Sequence, residues 1–227
     1  MTIGQKKESC DIMPKILSED EKLKKEQIIL EYAKEMFDTS DFSAITMNAL
    51  AKRCNMAKGT LFNYFPTKET LFAIILYKEY SEWGIRELEE LEKFDSFTKE
   101  SYKEFVLNQT KYLLEHQKRL IRLVSMKRAI INKNIAPEVL AEEIEGLDKT
   151  IRRLSLITEQ KIDFLNEEEI YHLYMARHVI MTGAYNLATS PHNIQKLSEI
   201  NKNNLAVIET DATVLKMTGE YLNFFCC

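Results

Sequence analysis

Residues 57–68 read A-K-G-T-L-F-N-Y-F-P-T-K. The other predicted helices lie before and after this stretch. Polar, small and aromatic side chains alternate in this stretch, a mixture that a helix packed only for stability does not need. Leu61 and Phe65 are four residues apart and can anchor one turn of helix to a core. Lys58 and Asn63 carry groups able to bind a polyanion. The stretch therefore predicts a short helix with one buried face and one polar, exposed face.

The residues before this stretch predict two further helices. Between residues 21 and 37, apolar side chains recur at intervals of three or four, with lysines and glutamates opposite. Thr46 is a candidate N-cap for a second helix. Asn55, a residue type that tolerates a left-handed backbone, stands where that helix must turn. Helix, short turn and short polar helix are typical of a helix-turn-helix, so we interpret the third helix as one that reads DNA.

The residue types in the third helix indicate which of them contact DNA. A helix of about eight residues is only about 12 Å long, so few of its side chains can reach base edges. Lys can donate to guanine, Asn can bind adenine, and Gly lets the backbone approach closely. We predict base contacts by Lys58, Gly59, Thr60 and Asn63. We predict phosphate contacts by Thr46, Tyr64 and Lys68, two of them near helix N-termini. The alternative is that the lysines are solvated charges and Tyr64 a half-buried ring.

The charge distribution fits a protein that touches DNA at one end only. The net charge is −4, although neutralisation of phosphates supplies most of the non-specific affinity for DNA. From Phe42 to Tyr80, however, five basic residues accompany two acidic ones, a local charge of +3, and from Ser81 onward the balance is −4. A positive face on an acidic body can still bind a polyanion locally.

Composition predicts an all-α fold with two domains. Six glycines and four prolines leave few places for hairpins, and segments with a 3.6-residue period fill the chain. We predict a flexible arm at residues 1–20, a three-helix helix-turn-helix head at 21–66 and a larger helical domain at 67–227. Pro66 ends the third helix, and Thr67 caps a long fourth helix that joins the two domains.

Several classes of protein do not fit the sequence. No apolar run approaches the roughly 18–20 residues that span a bilayer, and no apolar segment of a secretory signal follows Lys6 and Lys7. We therefore expect a cytoplasmic protein without a membrane partner. The four cysteines show neither metal-ligand nor disulfide-framework spacing and are interpreted as reduced thiols. A redox role for the terminal pair, Cys226 and Cys227, is the alternative.

Catalytic and metal-binding patterns are incomplete or missing. Glu169 and His172 form one E-x-x-H pair, but a di-iron bundle needs a second pair and two further inward glutamates. No Ser-His-Asp pattern, glycine-rich phosphate loop or cysteine-rich metal site stands out. We expect no enzyme activity, no metal and no cofactor.

The predicted helix-turn-helix head resembles the DNA-binding domain of a known family. The resemblance lies in Phe37, Phe42, Thr46, Leu50, Ala51, in K-G-T-L-F-N-Y-F at Lys58–Phe65 and in T-K-E-T-L-F at Thr67–Phe72. These residues are similar to those of the TetR/AcrR family of bacterial transcriptional regulators. The resemblance implies a larger C-terminal domain with an effector pocket, and a homodimer. Asp41 and Asn55 stand where that family usually has glycine, and Ala57 and Phe62 replace a frequent serine and tyrosine, removing two hydroxyls.

The resemblance implies a repressor that binds a palindromic double-stranded DNA operator as a dimer and is released by a small, partly apolar effector. The last two long helices would form the dimer interface. The stripes considered for it are Ile170, Leu173, Tyr174, Arg177, Met181, Ala184 and Ala188, then Val214, Leu215, Thr218, Leu222 and Phe225. The alternative for these stripes is intramolecular core. The alternative function is a helical protein-interaction module that has lost operator binding, because two hydroxyls and much of the expected positive charge are missing.

Aromatic residues, methionine and histidine in the C-terminal domain are candidates for an effector pocket. Aromatic rings and methionine supply adaptable apolar walls, and a histidine supplies an orienting polar group. The candidates are Trp83, Tyr112, His116, Met126, Tyr174 and His178. The alternative is that this stripe belongs to the core.

Overall fold

The computed structural model describes residues 18–127, 135–188 and 210–226, and these ranges contain nine α-helices, one 3-10 turn and no strand. The all-α prediction is confirmed. The helices are α1 Glu19–Thr39, α2 Met47–Arg53, α3 Lys58–Tyr64, α4 Lys68–Glu92, α5 Lys99–His116, α6 Lys118–Lys127, α7 Pro137–Glu159, α8 Glu167–Ala188 and α9 Thr210–Cys226, and the 3-10 turn is Phe42–Ala44. None of these described helices combines the length and apolarity that crossing a bilayer requires.

Helix α1 begins two residues earlier than the predicted boundary of the arm. The Glu21 amide donates to the Ser18 hydroxyl at 3.2 Å, and the Ser18 amide donates to the Glu21 carboxylate at 3.0 Å. This reciprocal capping box satisfies two of the otherwise unpaired amides at the helix start. The rest of the predicted arm, residues 1–17, lies outside the described residues.

The predicted signals for the ends of α2 and for the start of α4 are confirmed. The Ala49 amide donates to the Thr46 hydroxyl at 3.1 Å, and the Thr70 amide donates to the Thr67 hydroxyl at 3.0 Å. Asn55 follows α2 with a φ of 51°, the left-handed region. These local interactions set the turn between α2 and α3 and the sharp entry into α4.

The head is built on a small aromatic and aliphatic core. The Phe72 ring of α4 lies 5.3 Å from that of Phe37 and 5.1 Å from that of Phe42, between ring centroids. Leu61, in the middle of α3, and Phe65, just after its end, are 0% and 1% exposed. Full burial of one such side chain contributes about 1.5–3 kcal/mol. Two of them fix how α3 lies on the head.

The body is a helical bundle in which α4 contacts α7 and α6, α7 contacts α8, and α9 contacts α5 and α8. The residues of the α8 stripe are part of its intramolecular core: Ile170, Leu173, Tyr174, Arg177, Met181 and Ala184 are all buried, and the side chain of Ala188 is outside the described set. Val214, Thr218 and Leu222 of α9 are likewise buried. The stripe therefore holds α8 and α9 to their own chain, and a partner would meet other faces.

Two glycines let α4 and α7 approach closely. A Cβ atom added at Gly84 would lie 2.3 Å from the Thr150 methyl carbon, and one added at Gly146 would lie 2.4 Å from a Tyr77 ring carbon. The Thr150 hydroxyl also donates to the Gly146 carbonyl at 2.9 Å, which restricts rotation of its side chain. The spacing of these helices therefore depends on the absence of two side chains.

We expect Gly84→Ala to lower the free energy of unfolding by about 1–3 kcal/mol, because overpacking against Thr150 outweighs the better helix propensity of alanine. Gly219→Ala in α9 is the matched control. Its Cβ would meet the Leu107 side chain at an ordinary 3.7 Å, so stability should stay the same or rise by up to about 1 kcal/mol. Urea unfolding followed by circular dichroism measures both. Equal stabilisation by the two changes would contradict the close α4–α7 contact.

Candidate nucleic-acid interface and internal cavity

Helix α3 separates a buried face from an exposed one. Leu61 is fully buried, whereas Lys58, Gly59 and Asn63 are exposed and Thr60 is partly buried. A Cβ atom added at Gly59 would have no neighbour within 4 Å among the described residues. The four predicted base contacts therefore lie together on one short helix, and Gly59 leaves its backbone accessible.

The two positions at which hydroxyls are missing affect how α3 is held. Ala57 occupies the N-cap of α3 and provides no side-chain hydrogen bond to it. Phe62 is partly buried, and the Lys58 ammonium lies 5.4 Å from its ring centroid, within the range of a cation–π contact. The phenyl ring thus stands beside the lysine predicted to contact a base.

Lys68 has a structural role that the sequence did not reveal. Its ammonium donates to the carbonyl oxygens of Phe42 at 2.8 Å and Ile45 at 2.9 Å, and lies 4.1 Å from the Phe42 ring centroid. Burial lowers the pKa of Lys68, and the neighbouring Glu69 carboxylate opposes that change. Lys68 therefore ties the 3-10 turn to the start of α4. An ammonium has three protons, so its phosphate contact stays a prediction.

The other predicted phosphate contacts and the basic residues near α3 differ in exposure and in pairing. Thr46 is exposed at the start of α2, and Tyr64 is partly buried at the end of α3. Arg53 pairs with Glu35 at 2.8 Å, which offsets one of the positive charges of the head. Lys52 is exposed at the end of α2. The local positive field is thus smaller than the count of basic residues suggests.

Lys58→Ala and Lys68→Ala should separate DNA contact from structure. We expect Lys68→Ala to lower the free energy of unfolding by about 1.5–3 kcal/mol, because two carbonyls lose a charged donor. Lys58→Ala should leave stability within about 0.5 kcal/mol. Thermal or urea unfolding measures both. Equal stability of the two variants would show that the hydrogen bonds from Lys68 to the Phe42 and Ile45 carbonyls do not stabilise the fold.

The same two variants test the DNA contacts through salt dependence. A lysine that neutralises one phosphate changes the slope of log K against log salt by roughly one unit on removal. A change of that size in Lys68→Ala would support the predicted phosphate contact. For Lys58→Ala, a base contact should reduce affinity for the preferred sequence more than for random DNA. Equal loss on both sequences would contradict the base contact.

Three of the six predicted pocket residues line one cavity in the body. The cavity measures about 30 Å³. Its walls are Tyr80, Trp83, Leu113, Leu120, Val124, Leu147, Ile151, Tyr174, Arg177, His178 and Met181. Five helices, α4 to α8, contribute to these walls. Trp83, Tyr174 and His178 are thus brought together by the fold.

The other three predicted pocket residues do not line this cavity. The guanidinium carbon of Arg86 lies 3.2 Å from the centroid of the Tyr112 ring. The centroids of the Tyr112 and His116 rings are 4.6 Å apart. His116 is exposed, and Met126 packs on the edge of the core. Tyr112 and His116 share a face of α5 because they are four residues apart, whereas the neighbouring Leu113 faces the cavity. Aromatic content alone could not distinguish these two faces.

A buried ion pair beside the cavity was not foreseen. One Arg177 nitrogen, Nη2, lies 2.9 and 3.0 Å from the two Glu87 carboxylate oxygens, and the Trp83 indole donates to Glu87 at 2.6 Å. Glu87 is 1% exposed and Arg177 4% exposed. The two residues are 90 positions apart, so no local pattern could pair them. Each charge is compensated inside the apolar body.

His178 adds no charge to the cavity at neutral pH. Burial and, to a smaller extent, the positive charges of Lys127 and Arg177 together lower the pKa of His178 to about 4. The imidazole therefore stays neutral, with one nitrogen as donor and the other as acceptor.

Helix α6 connects the head to the body through two arginines. The Arg119 guanidinium donates to Asp38 at the end of α1 at 2.9 Å and to the buried Glu79 of α4 at 2.8 Å. The Asp38 and Glu79 carboxylates raise the pKa of Arg119, which stays charged. Arg122 donates to the Phe37 carbonyl at 2.8 Å and stacks over the Phe37 ring at 4.3 Å. The end of α1 is therefore held by α6.

The fold and the exposed face of α3 define a helix-turn-helix protein with a larger helical body. Residues 29–75 match the family described as bacterial regulatory proteins, tetR family. The HTH-type transcriptional regulator QacR of Staphylococcus aureus (strain Mu50 / ATCC 700699) is 42% identical over 55 residues, which cover 24% of this chain and 29% of QacR. The uncharacterized HTH-type transcriptional regulator YuxN of Bacillus subtilis (strain 168) is 30% identical over 132 residues, 58% of this chain and 42% of YuxN. The aligned segments span less than half the length of either relative.

Solved structures show the same fold over most of the chain. A TetR-family transcriptional regulator of Mesorhizobium loti MAFF303099 has a TM-score of 0.54 at 14% identity, over 88% of this chain and 95% of that structure. A TetR transcriptional regulator of Rhodococcus sp. RHA1 has a TM-score of 0.52 at 16% identity, over 89% of this chain and 97% of that structure. The tetR family match covers residues 29–75 of the head, and the fold over most of the chain is that of the solved TetR-family regulators.

Proposed function

We propose that the chain is a cytoplasmic transcriptional repressor that binds a palindromic DNA operator as a homodimer and releases it when a small, partly apolar molecule enters the body. The observation that carries the proposal is α3, where Leu61 is fully buried while Lys58, Gly59 and Asn63 are exposed. A helix anchored in this way presents polar groups to a groove without losing its position. QacR and YuxN, to which the chain is similar, are both described as HTH-type transcriptional regulators.

Exposed apolar side chains on α8 and α9 support dimerisation. Val179 and Leu187 of α8 are 64% and 65% exposed, and Met217 and Phe224 of α9 are 47% and 84% exposed. Gly183 lies between the two α8 residues, and a Cβ added there would have no described neighbour within 4 Å. Exposed apolar residues on two helices that contact each other favour an interface there. Two heads placed about 34 Å apart could then read successive major grooves.

The size of the cavity supports coupling between ligand and head. A volume of about 30 Å³ holds no more than about two waters, so an organic molecule must move the walls to enter. Leu120 and Val124 of α6 are two of those walls. The same helix binds the end of α1 through Arg119 and Arg122. Displacing α6 would therefore move the head, and the ligand would favour one head spacing over the other.

Fluorescence anisotropy with DNA from upstream of the chain's own gene tests operator binding. We expect saturable binding to a palindromic segment, weakened steeply by salt, with two chains per site. Random DNA of equal length is the control. Absence of salt-sensitive binding there and at neighbouring promoters would reject the proposal and favour a protein-interaction module. In a transcription assay, a repressor lowers transcript from the bound promoter, and an increase would indicate an activator.

Val179→Glu should weaken the dimer, because a charge on a dehydrated interface loses its hydration. The matched control is Ile144→Glu on α7, where the isoleucine is 54% exposed but lies outside α8 and α9. Light scattering coupled to size-exclusion chromatography gives the mass of each variant. We expect at least a tenfold larger dimer dissociation constant for Val179→Glu, which corresponds to about 1.4 kcal/mol, and an unchanged dimer for Ile144→Glu. Equal masses for both variants would place the interface elsewhere.

A further inference from the structure

The cavity has apolar and aromatic walls with very few polar groups. Among the described residues that line it, Arg177 and His178 are the ionisable groups apart from the tyrosine hydroxyls, and none carries a carboxylate. The rings of Trp83 and Tyr174 meet edge to face, 6.4 Å between centroids, and the Arg177 guanidinium carbon lies 5.0 Å from the Tyr174 ring centroid. The walls therefore suit a flat apolar body, and Arg177 provides the main directed polar contact.

One end of the Arg177 guanidinium is unsatisfied. Nη2 binds Glu87, but Nη1 is buried and has no hydrogen-bond partner among the described residues. A buried N–H group without an acceptor is unfavourable, and because Arg177 lines the cavity, a molecule in the cavity can provide the acceptor. A water can fill that role in the unliganded state, since the space is large enough for one. A ligand with an acceptor oxygen could replace that water.

The charge of the surroundings restricts the ligand further. Glu87 neutralises Arg177, and burial keeps His178 neutral. An anion would bring an uncompensated negative charge into an apolar site, and a cation would meet Arg177 without a carboxylate of its own. A neutral molecule needs no compensation.

We propose that the cavity binds a neutral, mostly apolar molecule whose carbonyl-type oxygen accepts a hydrogen bond from Arg177 Nη1. The inference rests on the proposed function because it takes this cavity as the effector site. Arg177 is the group that determines specificity, and Glu87 sets the charge preference by neutralising it. Trp83 and Tyr174 contact the apolar part of the ligand.

Four probes that share one benzene ring test this inference by calorimetry on the full chain at pH 7. They are acetophenone as neutral acceptor, ethylbenzene as neutral molecule without an acceptor, benzoate as anion and benzylammonium as cation. We expect acetophenone to bind about tenfold or more tightly than ethylbenzene, because only acetophenone can satisfy Nη1. It should also bind more tightly than either charged probe. Preference for a charged probe, equal binding of the two neutral probes, or binding of no probe would each overturn the inference.

Two substitutions change the charge of the site in opposite directions. Glu87→Gln leaves Arg177 without its counter-charge, so the preference should shift toward benzoate by about tenfold or more. Arg177→Met leaves Glu87 without its counter-charge, so acetophenone should lose its advantage and benzylammonium should gain. Arg153→Met, on the exposed surface of α7, is the matched control and should keep the wild-type order. Circular dichroism verifies that each variant folds. If a variant does not fold, the comparison of the four probes on the wild-type chain still tests the inference.

Operator binding is measured separately, so the two proposals fail in different ways. A chain that binds its operator but shows no acetophenone preference contradicts only the ligand inference. A chain that shows the preference but binds no operator contradicts the repressor function and supports the cavity assignment. Release of operator by acetophenone but not by ethylbenzene would support both.

Discussion

The position of the head depends on two arginines of α6, and one of them, Arg119, binds a buried carboxylate. Arg119 of α6 joins Asp38 at the end of α1 to Glu79 inside the body, and Glu79 is 4% exposed. Removing Arg119 would leave the buried Glu79 carboxylate with the Lys34 ammonium, 3.8 Å away, and would be destabilising because Glu79 loses its nearest positive charge. The contact is directional as well as strong, because a guanidinium donates in fixed directions from a planar group.

Helix α4 carries a second buried carboxylate that is neutralised in the same way. Glu79 and Glu87 are eight residues apart, about 12 Å along the helix axis, and each is met by an arginine from another helix. The first arginine connects α4 to the head through α6, and the second connects it to α8 beside the cavity. A single long helix therefore sets the distance between the junction with the head and the ion pair beside the cavity. The two glycine contacts between α4 and α7 fix the same helix from another side.

Helix boundaries in the head followed from the sequence because their causes are local. Thr46 and Thr67 cap α2 and α4, because each hydroxyl accepts a hydrogen bond from the amide three residues later. Asn55 adopts a left-handed backbone conformation, which this residue type tolerates. The missed start of α1 was also readable, as the S-x-x-E pattern of Ser18 to Glu21. The pocket was predictable only in part. Of the residues predicted from aromatic and histidine content, Trp83, Tyr174 and His178 line the cavity, whereas the rotation of α5 directs Tyr112 and His116 away from it.

By itself the sequence determined the all-α class, the turn between α2 and α3 and the polar face of α3, since each depends on residues within one or two helical turns of each other. Tertiary structure decided the roles of groups whose partners are far along the chain. Lys68 became a clamp on Phe42 and Ile45, and Arg177 became the partner of Glu87. Charged side chains form whichever buried contact the packing brings within reach. Their role therefore depends on the distance between helices, which no local pattern contains.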